Sequence, residues 1–498
     1  MENILAGLDQ LLQFQVLAAL FTGAIVGVII GAIPGVGPAV AIAILLPITF
    51  SMEPLTGLTL LLGIYAASMY GGAIPSILIN TPGTVVNVLT TYDGYPLTKR
   101  GEGRRALTIA YTASFVGGVF SVIVLMILAL PLANFAKRFG SAEFAMATLF
   151  AMVVVVVAHR DKAIPAAMTL GLGLFFATIG IERAFTTQRF TFEQAWLLSG
   201  VPLIPMVLGL FAMSQGLTLL IDKHETPPTP KLLGGAFDGM KEAFSYPKTL
   251  LASSGFGVFM GILPGVGEFM AQFFSYSLAQ RMSDAPEKFG DGAPDGIIAS
   301  EAANNSVPAA AMIPLLALGI PGEALTAMML SVFYVHNVIP GPQLFESRPE
   351  FIMGLFLSLL LTNFIILGFL LLTTRWLVKI TVVDPRFMGV VVMTLSLIGT
   401  YTSGYKLSDP LIALFFAFMG YIMERLEIPS VPIVLGLVLG PIFEARFRQA
   451  LGGANGDLTI FFTRPISLGL IVIMMITVTA FVIGQRQQAK RASVMAEG

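Results

Sequence analysis

The sequence predicts an all-α, polytopic membrane protein, and three observations carry that prediction. Of 498 residues, 56% are hydrophobic and only 11% charged, against roughly 25% charged in an average soluble domain, too few to cover several water-soluble cores. Uncharged stretches of about 20 residues recur, the length that crosses a hydrocarbon layer as helix. The alternating segments of roughly ten residues that a transmembrane barrel needs do not occur, and helices satisfy their own backbone groups in lipid. A water-soluble enzyme fits none of this. Cysteine is absent, which removes disulfides, thiolate metal sites and Cys nucleophiles together, and a net charge of -1 gives no footing for a nucleic-acid partner. The opening MENILAGLDQ lacks the basic region of a cleaved signal, so the N-terminus is expected to remain.

The spans 14–33, 106–132, 142–158, 163–181, 196–221, 351–374 and 465–484 have no charge in their interior and read as helices. The stretches 38–50, 55–80, 249–263, 268–280, 296–318, 323–340, 387–401, 410–424 and 431–443 are shorter or interrupted, and some are expected to be half-helices or re-entrant hairpins. Both kinds together make about 10 to 12 transmembrane crossings. No Lys or Arg precedes Lys99; then Lys99, Arg100, Arg104 and Arg105 crowd one loop, and Lys223, Lys231, Lys241 and Lys248 follow four spans later. Excess positive charge marks cytoplasmic loops, so both loops, with Arg486, Lys490 and Arg491 at the C-terminus, should be cytoplasmic. Lys137 with Arg138, and Arg446 with Arg448, fit that scheme less well. Pro227, Pro228 and Pro230 mark a central linker. The chain divides into a first membrane repeat (1–221), a cytoplasmic linker (222–248), a second membrane repeat (249–484) and a cytoplasmic tail (485–498).

The division rests on internal similarity, the feature that decides architecture before any single residue does. GAIPGVG at Gly31 to Gly37 recurs as GILPGVG at Gly261 to Gly267, IPSILINTPG at Ile74 to Gly83 as IPLLALGIPG at Ile313 to Gly322, and PMVLGL at Pro205 to Leu210 as PIVLGL at Pro432 to Leu437. Three matches in the same order indicate duplication. The basic loop after the first Pro-Gly motif corresponds to FESRPE at Phe345 to Glu350, which holds only Arg348, whereas Arg375, Lys379 and Arg386 follow the next span. The halves are therefore expected to be inverted. Inverted repeats with broken helices are the architecture of many secondary transporters.

Gly and Pro at this density stop helices and free backbone groups. Unpaired backbone at membrane depth is tolerated only against protein or a wet cavity, so breaks at Pro34-Gly37, Pro82-Gly83, Pro264-Gly267 and Pro321-Gly322 are expected to share one cavity. Helix N-termini there favour an anion, and a carboxylate fits. The expected substrate-binding residues are Gly35, Gly37, Asn80, Thr81, Pro82, Gly83, Thr84, Gly265, Gly267, Gly319, Pro321 and Gly322. Polar groups inside an apolar stretch usually face a partner or cavity; Asn304, Asn305, Ser306, Glu301 and Glu323 are the ion-coupling candidates, with Asp295 nearby. Close helix packing is the competing reading for the glycines, a solvated helix end for Asp295 and above all for Glu268, and an interfacial turn the favoured one for Tyr92-Asp93-Gly94.

Two further function classes compete with transport. His159, His224 and His336 are the only histidines and form no His-Glu-x-x-His motif, so metal hydrolysis lacks ligands. Tyr92-Asp93 matches half of an intramembrane aspartyl protease, but Gly-x-Gly-Asp is missing, the nearest stretch being Lys288-Phe289-Gly290-Asp291. A channel or stand-alone carrier for small organic anions stays open, because a wet cavity does not by itself separate conduction from alternating access.

GAIPGVGPAVAIAILLP, YGGAIPSILINTPGT followed by TTYDGYPLTKRGEGRRAL, GILPGVG, and DGIIASEAANNSVPAAAMIPLLALGIPGE with VIPGPQLF closely resemble the large membrane subunit of the tripartite tricarboxylate transporter family over roughly residues 15 to 450. The resemblance implies a bacterial inner-membrane subunit that works with a small membrane subunit of about four helices and a periplasmic solute-binding protein. It implies uptake of di- and tricarboxylates or related organic acids driven by an ion gradient, Na⁺ or H⁺, with no resident cofactor. Carried over position by position, the substrate region is Asn80 to Thr84 and Gly319 to Gly322. Three positions depart from the family pattern: Ala73 and Glu323 where Ser is frequent, and Glu268 where a small residue is usual. An added carboxylate at Glu323 would favour a smaller or less charged substrate than citrate.

Overall fold

The computed structural model describes residues 2–83, 85–159, 162–182, 186–222, 236–380 and 384–497. In the first half the helices are α1 (Glu2–Leu11), α2 (Phe14–Gly31), α3 (Pro38–Thr49), α4 (Pro54–Ile79), α5 (Val88–Lys99), α6 (Gly103–Ala136), α7 (Ser141–Ala158), α8 (Ala163–Thr178), α9 (Leu203–Val207) and α10 (Ser214–Ile221). The second half holds α11 (Ala236–Phe244), α12 (Pro247–Ile262), α13 (Gly267–Met282), α14 (Pro294–Leu318), α15 (Ala324–Val335), α16 (Leu344–Ser347), α17 (Pro349–Ile380), α18 (Pro385–Gly404), α19 (Ser408–Arg425), α20 (Val431–Gly453), α21 (Ile460–Thr463) and α22 (Pro465–Glu497). A two-stranded antiparallel hairpin, β1 (Gly180–Ile181) with β2 (Gln188–Arg189), is the only sheet among the described residues. Eight described helices are long and apolar enough to cross a membrane. The protein is an all-α, multi-pass membrane protein.

Several boundaries differ from the sequence expectation. Residues 55–80 and 296–318 were expected to be interrupted, yet α4 and α14 run unbroken over 26 and 25 residues with Pro75, Pro308 and Pro314 inside them. Neighbouring helices bury both almost throughout, which is the setting in which a membrane helix tolerates proline. The span expected at 196–221 starts only at Leu203, behind Pro202, and Leu208–Met213 winds as a π-helix between α9 and α10. Tyr92, Asp93 and Gly94 lie within α5 and form no turn. Gly94 is required there, because a Cβ would fall 2.5 Å from Ile77 Cγ1. The tail beyond residue 484 continues α22, and Lys223 and Lys231 of the linker lie outside the described residues.

The duplication is visible in how helices approach. A Cβ on Gly23, Gly27 or Gly31 of α2 would meet the carbonyl oxygens of Leu60, Ile64 and Ser68 of α4 in turn, the last at 2.2 Å. The two helices therefore run parallel in close contact, as small residues allow. Gly257 and Gly261 bring α12 equally close to α14, at Ala303 and Val307. The next segments reverse: α3 runs back until Thr49 meets Gly57 at the start of α4, and α13 returns towards Met282. At 12 residues, α3 is about 18 Å long, short of the roughly 30 Å of a hydrocarbon core. Both pairs are antiparallel helical hairpins with the two Pro-Gly-Val-Gly turns at their tips.

The halves are inverted. Counterparts α6 and α17 run antiparallel: Leu107 and Ile109 share a buried cluster with Leu377 and Val378, Phe115 stacks edge-on against Phe364 at 5.0 Å, and Lys137 pairs with Glu346. The two basic loops meet at one end of the bundle, where Arg105 forms a bidentate pair with Glu242 of α11 at 2.6 Å. The cations that fit the charge rule poorly lie at the opposite end. There Lys137 pairs with Glu346, and Arg448 with Glu182 and Glu444.

Candidate functional site

The backbone at the breaks repeats between halves. Asn80 ends α4 with φ 57° and Gly319 ends α14 with φ 70°; Gly35 and Gly265 have φ of 77° and 78°. These are left-handed conformations, natural for Gly and tolerated by Asn. The Pro-Gly pairs then fold back onto the hairpin tips. A Cβ on Gly83 would fall 2.5 Å from the Gly31 carbonyl oxygen, and the Gly265 N–H donates to the Gly322 carbonyl at 2.5 Å. Each Pro-Gly pair thus seats on its own half's turn.

The residues of the four breaks expected to share one cavity do not line the large cavity that the bundle does form. A cavity of about 1510 Å³ opens at the end of the bundle opposite the basic loops, and Gly319 is the one expected substrate residue among those lining it. Gly322 and Pro321 are buried behind it, while Asn80 and Thr81 are exposed at the end of α4. Thr84 lies outside the described residues. Gly37 has extended backbone and Gly267 left-handed backbone, so the symmetry fails at that position. The cavity wall carries Lys137, Arg189, Arg446 and Arg448 with Glu182, Glu346 and Glu444. The hairpin is pinned there by Arg189, which bridges Glu182 and Glu444. Burial works against the ionised form of Glu182, but the Thr187 hydroxyl, Arg189 and Arg448 outweigh it and hold this carboxyl below its ordinary range. Arg446 makes no ion pair among the described residues and lies over the Phe144 ring at 5.1 Å, where the aromatic face holds it.

A second arrangement lies deep between α5, α6 and α14. Glu301, fully buried on α14, accepts the Thr90 hydroxyl at 2.5 Å and the Asn87 amide at 3.2 Å on one oxygen. Its other oxygen accepts the Ser114 hydroxyl at 3.0 Å and the Asn305 amide at 3.3 Å. Asn305 also donates to Ser114 at 2.9 Å, so one carboxylate is ringed by neutral hydrogen-bonding groups with no cation paired to it among the described residues. The Asn305 side-chain oxygen Oδ1, both side-chain polar atoms of Asn304 and the Ser300 hydroxyl are buried without hydrogen-bond partners. Native buried polar groups are normally satisfied, and exceptions mark water, ions or function.

Other candidates are placed elsewhere. The Ser306 hydroxyl lies 3.0 Å from the Gly117 carbonyl and 2.7 Å from the Ala302 carbonyl, able to donate to either, and serves the α6–α14 contact. Asp295 accepts from Thr249 at 2.8 Å and Ser283 at 3.3 Å at the start of α14, far along that helix from Asn305. Glu323 does not surround Asn304-Asn305. It contacts Tyr65, as does Glu268, which is buried and not the solvated helix end expected of it. Asp93 accepts the N–H groups of Gly290, Gly292 and Ala293 and the Tyr276 hydroxyl, all within 3.0 Å, so it caps the approach to α14. Asp291 instead pairs with Arg100 at the surface, and the two aspartates form no dyad. Among the described residues no three of His, Asp and Glu gather to hold a metal.

Sequence reasoning missed Tyr65, Asn87, Thr90, Ser114 and Gln272. Asn87 and Thr90, three apart at the start of a helix, carried a weak signal, since that spacing shares a helix face.

A duplicated, inverted bundle of apolar helices with paired Gly-Pro turns and buried polar groups defines a multi-pass membrane transporter architecture. The chain belongs to the tripartite tricarboxylate transporter TctA family, whose model matches residues 17–435; it is a membrane component of tricarboxylate transport. It is similar to a protein of Agrobacterium vitis described as an uncharacterized 52.8 kDa protein in the TAR-I ttuC' 3' region, 31% identical over 430 residues and covering 86% of each chain. An uncharacterized protein in the TAR-II ttuC' 3' region of the same organism is 32% identical over 222 residues, 45% of this chain and 92% of its own. No solved structure matches.

Proposed function

We propose that this chain is the large inner-membrane subunit of an importer of di- or tricarboxylates or related organic acids, driven by an ion gradient and supplied by a periplasmic solute-binding protein, with a small membrane subunit of about four helices beside it. The end bearing the basic loops faces the cytoplasm, as the positive-inside rule favours, and the C-terminus lies on that side. The cavity that reaches Gly319 then opens to the periplasm, where a binding protein would deliver an anion. Arg446 offers it an unneutralised guanidinium at the mouth.

The observation that carries the coupling half of this reading is the Glu301 network. A buried carboxylate without a cationic partner is costly, and here the unpartnered oxygen of Asn305 stands beside it. A proton or Na⁺ supplied by the gradient would neutralise the charge, and Asn304 and Ser300 add neutral oxygens on the adjoining face of α14.

Reconstitution of the three subunits in vesicles tests the proposal. Uptake of a labelled organic acid is expected to saturate, to require the binding protein and to collapse when the ion gradient is dissipated. Unsaturable flux independent of the gradient would assign a channel, and saturable uptake without the binding protein a stand-alone carrier; either overturns it.

A further inference from the structure

Two glutamates, each directly behind a Pro-Gly turn of the second half, are brought into one contact by the fold. Glu268 stands directly behind the second Pro-Gly-Val-Gly turn in the first turn of α13, and Glu323 stands directly behind the second Pro-Gly pair as the residue before α15. Their counterparts in the first half, Pro38 and Thr84, cannot ionise. Both carboxyls converge on Tyr65 of α4: its hydroxyl is 2.6 Å from Glu268 Oε1 and also hydrogen-bonded to Glu323 Oε1. Tyr65 is fully buried and the two glutamates are each 7% exposed.

A phenol has one hydrogen and can donate it to one acceptor only. The second contact sets phenol oxygen against carboxyl oxygen, and it is attractive only when that carboxyl carries a hydrogen and donates it. Two ionised carboxylates in one desolvated contact, with no Lys, Arg or His paired to either among the described residues, would repel strongly. Other ionisable groups on the surrounding helices are placed elsewhere: Tyr70 of α4 donates to Asn363 and Tyr276 of α13 to Asp93, Arg281 lies in the last turn of α13, Glu301 of α14 sits in its own network and Asp295 at the start of that helix, and Glu444, Arg446 and Arg448 of α20 line the cavity. Helices α3 and α9 carry no ionisable side chain.

We propose that Glu268 and Glu323 bind one proton between them, relayed by the Tyr65 hydroxyl, in a site that the second half builds and the first half closes. A second feature leads from this site into the Glu301 network. One turn beyond Glu268 on the same helix, Gln272 accepts the Leu89 N–H at 3.3 Å and donates to Thr90 at 3.4 Å, and Thr90 donates to Glu301. The buried, unpartnered amide of Asn304 and hydroxyl of Ser300 lie on α14 within the same layer. Loss of the proton to water leaves two anions facing Tyr65 and loosens the tie between α4 and the turns at Gly265 and Gly322, which stay joined by their own backbone bond. Proton occupancy thereby biases how the two halves sit against each other.

The shared proton does not depend on the transport reading; only its consequence for uptake rests on that reading. Infrared difference spectroscopy of the whole chain in lipid, in H₂O and D₂O, is the direct test. A deuterium-sensitive carboxylic-acid band is expected at neutral pH, absent in both E268Q and E323Q, shifted in Y65F and retained in E301Q. The E268Q/E323Q double variant keeps the shape of the pair without its charge and is expected to melt at or above wild type, so loss of the band cannot be assigned to unfolding. In reconstituted uptake the wild type is expected to change with pH towards the one-proton limit of about tenfold per unit, and the double variant less than about twofold. A band unchanged in both single variants, or an unchanged pH profile in the folded double variant, overturns the proposal. If instead the band behaves as expected while uptake is indifferent to the ion gradient, the transport reading fails and the proton site stands.

Discussion

Asn80 and Gly319 occupy the same left-handed helix end in the two inverted halves, one ending α4 and the other α14. The equivalence separates two roles for Asn80, because its counterpart has no side chain. Asn80→Gly preserves the backbone and is expected to cost less than about 0.5 kcal/mol, whereas Asn80→Ala keeps a Cβ in the left-handed region without the local hydrogen bonding that lets Asn tolerate it, and is expected to cost up to about 1 kcal/mol. Uptake is expected to be lost in both variants with insertion and assembly intact. Melting curves read the first effect and vesicle uptake the second. Transport by Asn80→Gly at the wild-type rate would reduce Asn80 to a helix cap.

Glu301 and Asn305 predict a division between folding and transport. Glu301→Gln replaces the carboxylate by an isosteric amide whose one oxygen can still accept from Thr90 and Asn87 while its NH₂ donates to the Ser114 hydroxyl, so the chain is expected to fold and insert. Gradient-driven uptake is expected to fall at least about tenfold, since the charge a coupling ion would neutralise is gone. Asn305→Ala deletes a donor to Ser114 and Glu301 and is expected to abolish uptake while also costing about 1–3 kcal/mol for the unmade bonds. Exchange of labelled for unlabelled substrate without a gradient checks the assignment: Glu301→Gln should retain it better than net uptake.

The backbone of these sites was far more legible in the sequence than their side-chain partners. Left-handed turns need Gly or Asn, and so GAIPGVG, GILPGVG and the two Pro-Gly motifs announced Gly35, Gly265, Asn80 and Gly319 from local chemistry alone. Tyr65 and Ser114 had no such signature: each is one of several uncharged polar residues scattered along its apolar helix, and its partner lies about 200 residues away. Gly and Pro misled where neighbours decide the outcome. Pro75 and Pro314 marked no break because surrounding helices shelter α4 and α14, and Gly94 marked no turn because it lets α5 approach Ile77. The orientation of the halves was readable from Arg and Lys, yet the cations at the cavity broke the charge rule for a local reason: most of them are neutralised by glutamates.

Arg446 is the exception at that cavity, and it predicts a kinetic effect without a structural one. Removing its charge in Arg446→Gln is expected to raise the KM for the delivered acid several-fold, with kcat nearly unchanged, because a cation at the mouth attracts an anion before any conformational step. The effect should shrink as salt is raised and screening shortens its reach. Arg448→Gln breaks pairs with Glu182 and Glu444 instead, so it should lower the melting temperature. Initial rates across substrate and salt concentration distinguish the two.

Helix contact through glycine can be tested by contrast. A Cβ on Gly117 of α6 would fall 2.2 Å from the Ala302 carbonyl oxygen, while Gly171 of α8 has nothing within 4 Å. Gly117→Ala must push α6 from α14 beside the Glu301 network and is expected to destabilise by about 1–3 kcal/mol and impair uptake. Gly171→Ala gains helix propensity in open space and is expected to be neutral or to stabilise by up to about 1 kcal/mol. Thermal melting in detergent provides both values, and a stable, active Gly117→Ala would show that the two helices can separate without cost.

The pinned hairpin carries a pH dependence of defined sign. Thr187, Arg189 and Arg448 hold the folded-state titration of Glu182 below its ordinary range despite the opposing effect of burial. A carboxyl whose folded value is depressed contributes stability fully above its unfolded value, about 4.3, and that contribution fades as pH falls towards and through the folded value. Glu182→Gln should therefore melt below wild type at neutral pH, by an amount that is constant down to about pH 5 and shrinks below about pH 4. Raised salt should narrow the neutral-pH gap, since the cavity is open to water. The comparison is made between wild type and variant at each pH, which cancels the titration of all other carboxylates. A gap that widened on acidification would mean that Glu182 is held in its protonated form and that Arg189 and Arg448 do not pair with it.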